Sequence, residues 1–290
     1  MSLIMDHQCL LCHLKRNLEV VTSLGTEEQT MEFAKDMMRM YLDAPAGVSS
    51  PWFNPKVADL LEKHYGLPQD RFKEEKELSN RFVVERMDTI REKVRSAPDP
   101  VYAGLQFAIL GNYLDFSALQ GQVSFEKLDA MLDTAFGLEL DKEAYADLRA
   151  DLEKGKNLLY LTDNAGEIGF DRIFAEEIAR AYPHVAITFC VRGAITINDA
   201  TRADAQAVGI PFPVIDNGNR IPGTQIDELS EQAKEALDTA DVVLAKGMAN
   251  CETMRGCGYN VYYAFLVKCQ RFVSLYEKPM LTPMLVKERK

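Results

Sequence analysis

The sequence predicts an α/β fold: a mostly parallel, doubly wound, Rossmann-like sheet with a largely α-helical N-terminal half. Three observations carry this. The first half shows apolar positions three or four apart in segments separated by short Gly or Pro breaks. After Lys154-Gly155-Lys156, short β-branched or aromatic runs alternate with helix-like segments, an order that demands crossover connections and hence parallel strands. At 290 residues, 47% of them hydrophobic, the chain can bury an ample core without disulfide staples.

Taken in order, LIMDHQCLLCHLKRNLEVV predicts a helix with Cys9, Cys12 and Arg16 on one face. Cys9 and Cys12 form the only C-x-x-C, and no second pair or H-x-x-x-H follows to complete a zinc site. Two small buried side chains near a helix start are therefore as good a reading as metal or redox chemistry. DAPAGVSSP and SAPDP mark breaks. In RFKEEKELSNRFVVERMDTIREKVR, Phe72, Leu78, Phe82, Met87, Ile90 and Val94 approximate one apolar stripe, and the charges form a solvated face. The predicted strands are NLLYLTD, VAITFCVRG, PFPVIDNG, ADVVLAKG and NVYYAFLVK. EIGFDRIFAEEIARAY, NDATRADAQAVG, TQIDELSEQAKEALDT and NCETMRGC supply the helices between them. A boundary near residue 154 divides a helical domain, 1–153, from an α/β domain, 154–290, unless the two pack as one body.

Composition narrows the function. A formal net charge of −11 argues against general nucleic-acid binding, which needs clustered Lys and Arg, but leaves room for a small anionic substrate. No run is long and apolar enough for a membrane span, and the start MSLIMDHQCLLCHLKR lacks the apolar core of a signal peptide. A cytoplasmic location is the expectation. Six cysteines are too few for a disulfide scaffold, so reduced thiols are expected.

In a doubly wound sheet, ligands bind outside the carboxyl ends of the strands. The first strand ends in Asp163 and Asn164 with Glu167 behind, and the second leads through Arg192 to Asn198 and Asp199. The third ends in Asp216-Asn217-Gly218, and the fourth in Lys246, followed by Asn250 and Glu252. Asp163, Asn164 and Asp199 offer hard oxygen donors that suit Mg²⁺ or Mn²⁺ better than zinc. Lys246 is suited to gripping phosphate oxygens, and backbone N–H groups from Asn164 to Gly166 could add anion binding. Blander readings stand beside these: Asp163 or Asn164, and Asn198 or Asp199, as helix N-caps; Asp216-Asn217-Gly218 as a turn; Lys246 as a surface lysine. The coincidence of acid, amide, acid and lysine on consecutive connections favours a site.

LTDNAGEIGFDRIF, VRGAITINDAT and AKGMANCETM resemble the three signature segments of the metal-dependent damage-control phosphatase family, long catalogued as domain of unknown function 89. GNYLDF, from Gly111 to Phe116, is similar to its G-N-x-x-D segment, and Cys9-x-x-Cys12 to the start of its small stand-alone prokaryotic branch. The resemblance implies a divalent metal on Asp163, Asn164 and Asp199 (Mg or Mn favoured, Co or Ni allowed) and phosphate recognition by Lys246. It also implies hydrolysis of small phosphorylated metabolites, such as sugar phosphates or phosphopantetheine derivatives, in metabolite damage control. Asn112 and Asp115 are carried over as substrate-side residues, with Arg192, Asn250 and Glu252, although Asn112 bonding backbone in a helix turn is an equal reading. KGMANCETM departs from the family pattern at Met248, Ala249 and Cys251, which puts pocket polarity and substrate choice in question. Cys251 invites a nucleophile role, but no histidine lies near in sequence to activate it. Asp163 as a phosphoaspartate nucleophile and direct attack by water both stay open, with Glu167 or Glu252 as proton-transfer candidates. Two rivals are weighed: a noncatalytic metal- or ligand-binding regulator, and a nucleotide-cofactor enzyme such as a methyltransferase. Against the latter, no G-x-G-x-x-G follows the first strand.

Overall fold

The computed structural model describes residues 3–115 and 123–288. Phe116, the last residue of the Gly111–Phe116 segment, lies outside them. The N-terminal half is helical: α1 (His7–Val21), α2 (Glu27–Leu42), α3 (Asn54–Tyr65), α4 (Lys73–Arg95), α5 (Pro100–Gly111), α6 (Phe125–Asp133) and α7 (Lys142–Lys154). Their ends carry local signals. Asp6 caps α1 by accepting from Cys9 N at 2.9 Å, Thr26 and Gln29 form a reciprocal box at the start of α2, and α3 stops at Gly66 in the left-handed region. Within α4 the buried side chains are Ser79, Asn80, Phe82, Val83, Met87, Ile90 and Val94. Leu78, expected in that stripe, is exposed, because the buried face is rotated toward Ser79 and Val83.

All five predicted strands form: β1 (Asn157–Leu161), β2 (Ala186–Val191), β3 (Val214–Asp216), β4 (Val242–Lys246) and β5 (Val261–Leu266). A sixth, β6 (Pro283–Lys287), pairs antiparallel with β5 at the edge. The order is β3-β2-β1-β4-β5-β6, with β1 through β5 parallel. The chain thus winds outward on one side of β1, then returns to wind outward on the other, leaving a switch point between β1 and β4. The second-half helices are α8 (Glu167–Ala181), α9 (Arg202–Ala207), α10 (Glu231–Asp238), α11 (Gly247–Met254) and α12 (Gln270–Tyr276). The segment expected to be helical from Asn198 is irregular until Arg202, and TQIDELSEQAKEALDT divides into a 3-10 turn at Ile226–Glu228 and α10.

Both faces of the sheet are covered, so its central strands β4 and β5 are buried throughout. One face (Leu158, Tyr160, Phe189, Leu244, Tyr262) packs on α4 to α9, and this core draws side chains from both sides of residue 154. The other face (Leu159, Leu161, Val243, Ala245, Phe265) packs on α10 to α12. Val21, Phe33, Met37, Val57 and Leu61 form a separate small core among α1, α2 and α3. No helix among the described residues is long and apolar enough to cross a membrane.

One helix contact positions the site. VYAGLQFAILG in α5 is buried on nearly all sides, as expected of a helix apolar all round. At Gly111 a Cβ would lie 2.6 Å from the Phe170 ring, so only glycine permits this approach of α5 to α8. That approach delivers Asn112 to the start of α8.

Candidate active site

Asp163 and Asn164 do not cap α8, whose N-cap is Gly166 at φ +74 with no side-chain cap bond. Asn164 instead forms an isolated antiparallel bridge with Asp199. Ala200 N donates to Asp163 O at 2.7 Å and Ala165 N to Asn198 O at 2.9 Å, so the loops after β1 and β2 are stitched together. Nor do Asn198 and Asp199 cap α9, where Thr201 is the N-cap in a reciprocal box with Asp204. The stitching is strained at Ile197, a β-branched residue at φ +44. Such a conformation costs on the order of 1–3 kcal/mol and persists where surrounding structure over-determines it. The next residue, Asn198, donates to Asn164 Oδ1 at 2.8 Å and to Leu114 O at 3.1 Å.

Asp163, Asn164 and Asp199 come together on the wall of a cavity of about 230 Å³, with Asp115, Glu252 and Lys268 also lining it. Gly247 makes the arrangement possible: at φ +78, a Cβ there would stand 2.0 Å from Asp163 Oδ2 and 2.2 Å from Cγ. The Asp163 carboxylate rests where a side chain after β4 would be.

A second layer lies beneath the cavity. Asn112 Nδ2 donates to Asp163 Oδ2 at 2.9 Å and to Glu167 Oε2 at 2.9 Å, while its Oδ1 accepts from Leu266 N at 3.0 Å. The helix-turn reading of Asn112 therefore gives way to a clamp between helix, sheet and carboxylates. Asn164 Nδ2 likewise donates to Asp163 Oδ2 at 2.8 Å and Glu167 Oε2 at 2.7 Å. Lys246 is fully buried, not a surface lysine. Its ammonium donates to Ala108 O at 2.8 Å, Glu167 Oε1 at 2.7 Å and Asp171 Oδ1 at 2.7 Å, which uses all three protons. Lys246 and Glu167 thus support the cavity floor and do not line it. Tyr160 OH donates to the same Asp171 oxygen at 2.8 Å, and Asp171 Oδ2 is buried with no partner among the described residues.

Arg192 and Asn250 also face protein. Arg192 Nε donates to Asp199 Oδ2 at 2.7 Å and Nη2 to Thr162 O at 3.0 Å; Asn250 Nδ2 donates to Thr162 O and Lys246 O, and its Oδ1 accepts from Thr224. Of the cations on the cavity lining, Arg16, Lys268 and Arg271, Lys268 is the one bound to Asn112 and Asp115: its Nζ donates to Asn112 O at 2.8 Å and Asp115 Oδ2 at 2.6 Å. Strand-end reading carried to the fifth strand, NVYYAFLVK, would have named it. Asp216-Asn217-Gly218 forms a turn in which Asn217 Oδ1 accepts from Gly193 N and Asn219 N. From α1, Cys9, Cys12, His13 and Arg16 reach the cavity rim. Cys12 is exposed, against the expectation of two buried side chains. Cys251 is buried with its sulfur beside Tyr276 OH, and burial pushes its thiol up to about 12, which removes it as a nucleophile.

The electrostatics are those of a site short of positive charge. Burial, then the neighbouring Glu167 and Asp199 charges, push the Asp163 carboxyl well above the usual carboxylate range. Burial also raises Asp199, with Arg192 working against it, and raises Glu252 to about 7. Five acids, Asp163, Glu167, Asp171, Asp199 and the half-buried Asp115, face three buried bases, Lys246, Arg192 and Lys268. Fully ionised, the group holds two surplus negative charges. Oδ1 of Asp163 and Oδ1 of Asp199 make no hydrogen bond among the described residues. Two free carboxylate oxygens, a carboxamide and surplus charge fit a hard divalent cation. No set of three or more His, Cys, Asp or Glu gathers as metal ligands among the described residues, so the third donor would be the amide of Asn164.

A family model, the damage-control phosphatase ARMT1-like domain, matches residues 5–281. A damage-control phosphatase of Archaeoglobus fulgidus is 31% identical over 208 residues, 70% of each chain. Another, of Pyrococcus horikoshii, is 30% identical over 276 residues, 91% of each chain. An uncharacterized protein of Methanocaldococcus jannaschii is 29% identical over 276 residues, 91% of this chain and 88% of that one. Among solved structures, a DUF89 family protein from Pyrococcus horikoshii shares the fold with a TM-score of 0.81 over 99% of both chains at 24% identity.

Proposed function

The chain belongs to the damage-control phosphatase ARMT1-like domain family, with a phosphatase role in metabolite damage control, and from that premise we propose that it hydrolyses phosphomonoesters of small metabolites with a divalent cation held by Asp163, Asn164 and Asp199. The observation that carries this is the meeting of Asp163 and Asp199, from separate crossovers, on one cavity wall with an unengaged oxygen each and two surplus negative charges around them. Mg²⁺ or Mn²⁺ suits these oxygen donors best, with Co²⁺ or Ni²⁺ also admissible. Such a cation would supply Lewis-acid stabilisation of charge on the phosphoryl group.

The remaining work belongs to the chain. Lys268 presents an ammonium to the cavity, with one proton left after Asn112 O and Asp115 to donate to a phosphoryl oxygen. Asn112, Glu167 and Lys246 act as positioning residues, fixing the Asp163 carboxylate through hydrogen bonds before substrate arrives. Glu252 on the cavity wall, its carboxyl near neutrality, is placed to hold a proton for the leaving oxygen.

The test is inorganic phosphate release from a panel of phosphorylated metabolites by chelator-treated protein, with each metal restored in turn, for wild type and Asp199→Asn. Release should require added metal and fall at least about 100-fold in the variant, the scale of losing a transition-state electrostatic contact. Full activity in chelator, or an unimpaired Asp199→Asn enzyme, would remove the metal and that residue from the reaction.

A further inference from the structure

We propose that a second cavity, beside the first, binds an additional anionic group of the substrate, so that the preferred substrates are small phosphomonoesters bearing a second phosphate or a carboxylate. The proposal rests on the phosphatase reading and names its substrate class. The cavity, about 380 Å³, lies among α1, α3, the segment before α4 and the loops after β2 and β3. Arg16, Asn54 and the strained Ile197 line both cavities, so the two adjoin.

Three guanidinium groups line it: Arg16, Arg71 and Arg220. Arg220 is engaged, donating to Asp59 at 2.8 and 2.6 Å and to Gln69 at 3.0 Å. The side chains of Arg16 and Arg71 make no hydrogen bond or ion pair among the described residues; Arg71 only lies 5.1 Å from the Phe72 ring centre. Most half-buried arginines of the protein behave otherwise, Arg255 being a further exception. Arg86, Arg91, Arg172, Arg192 and Arg271 each pair with a carboxylate. Glu19, the one carboxylate on the lining, is exposed and lies 3.8 Å from Lys15. Burial first, and then the charge of Arg16, push the Arg71 pKa down. Partly buried charges of one sign are brought together at a cost that an anion would relieve. A guanidinium presents its donors in a planar fork matched to phosphate or carboxylate oxygens. In a chain of net charge −11, a local concentration of unpaired arginines beside the reaction cavity selects for a substrate that is anionic at both ends.

The experiment compares a hexose monophosphate, a hexose bisphosphate, a phosphoglycerate and phenyl phosphate on wild type and Arg71→Met. The bisphosphate or the phosphoglycerate should be favoured in kcat/KM over the singly anionic pair, and whichever leads identifies the second group as phosphate or carboxylate. Arg71→Met should raise KM for that substrate at least about tenfold, as loss of a charge-assisted contact does, while leaving phenyl phosphate unchanged. Equal effects on all four substrates, or none, would overturn the proposal. If nothing is hydrolysed, the phosphatase reading fails separately. Calorimetric titration of inorganic phosphate into Asp199→Asn protein, with and without Arg71→Met, then reads the second cavity without turnover. Binding that vanishes with Arg71 supports the cavity, and binding indifferent to it refutes it.

Discussion

Replacing Gly247 by alanine isolates the packing on which the site depends. A Cβ there would stand 2.0 Å from Asp163 Oδ2, 2.2 Å from Cγ and 2.7 Å from Oδ1, so the carboxylate must move by more than about 1 Å to reach ordinary van der Waals contact. That movement would break the bonds it accepts from Asn112 at 2.9 Å and Asn164 at 2.8 Å. Misplacement by about 1 Å is enough to lower turnover roughly 100-fold. The φ of +78 adds a left-handed penalty of about 1–2 kcal/mol. Gly47→Ala separates the two contributions, since Gly47 sits at φ +87 and a Cβ there would meet nothing within 4 Å. Steady-state phosphate release and thermal unfolding should show Gly47→Ala mildly destabilised, Gly247→Ala destabilised further, and only Gly247→Ala losing turnover. A Gly247→Ala enzyme with kcat within about twofold of wild type would refute the view that Asp163 must stay where it is for the chemistry.

Other outcomes follow from the same geometry. Lys246→Met leaves Glu167 and Asp171 buried without their counter-charge; breaking a buried pair costs about 3–5 kcal/mol, which unfolding in denaturant would register. Gly111→Ala drives a methyl to within 2.6 Å of Phe170 and should lose about 1–3 kcal/mol by overpacking, with a further loss of turnover as Asn112 shifts. Burial first, and then Arg16, lower the His13 pKa to about 4 from an ordinary 6.5, so its neutral form is the folded one. Stability from this group is full above pH 6.5 and is lost as pH falls through 4, by about 3 kcal/mol in all. His13→Gln should flatten that part of the stability profile, and an unchanged slope would exclude His13 as its source.

The parallel strands were legible because burial on both faces writes them as continuous apolar runs, as in VYYAFL. The edge strand β6 was not: PMLVK begins with proline, is half-exposed and carries no such run. At the site, acid, amide, acid and lysine could be read as strand ends, but their directions could not. Lys246 shares side-chain parity with Leu244 and Val242, which face the α5 and α8 side, and so it turns beneath the cavity toward Asp171. Since helices cover both faces, no pattern of polar and apolar residues announced which parity was which. Asp163 and Asp199 looked like helix caps because capping and bridging use the same residue types; only the long-range pairing of Asn164 with Asp199 separates the two uses.

The most direct test of a shared cation is anomalous diffraction from crystals grown with Mn²⁺. One strong peak should lie at coordination distance, about 2.1 Å, from oxygens of Asp163, Asn164 and Asp199, and should be absent in Asp199→Asn crystals. Density for Asp163 and Asp199 turned away from each other, or manganese bound only elsewhere, would contradict it.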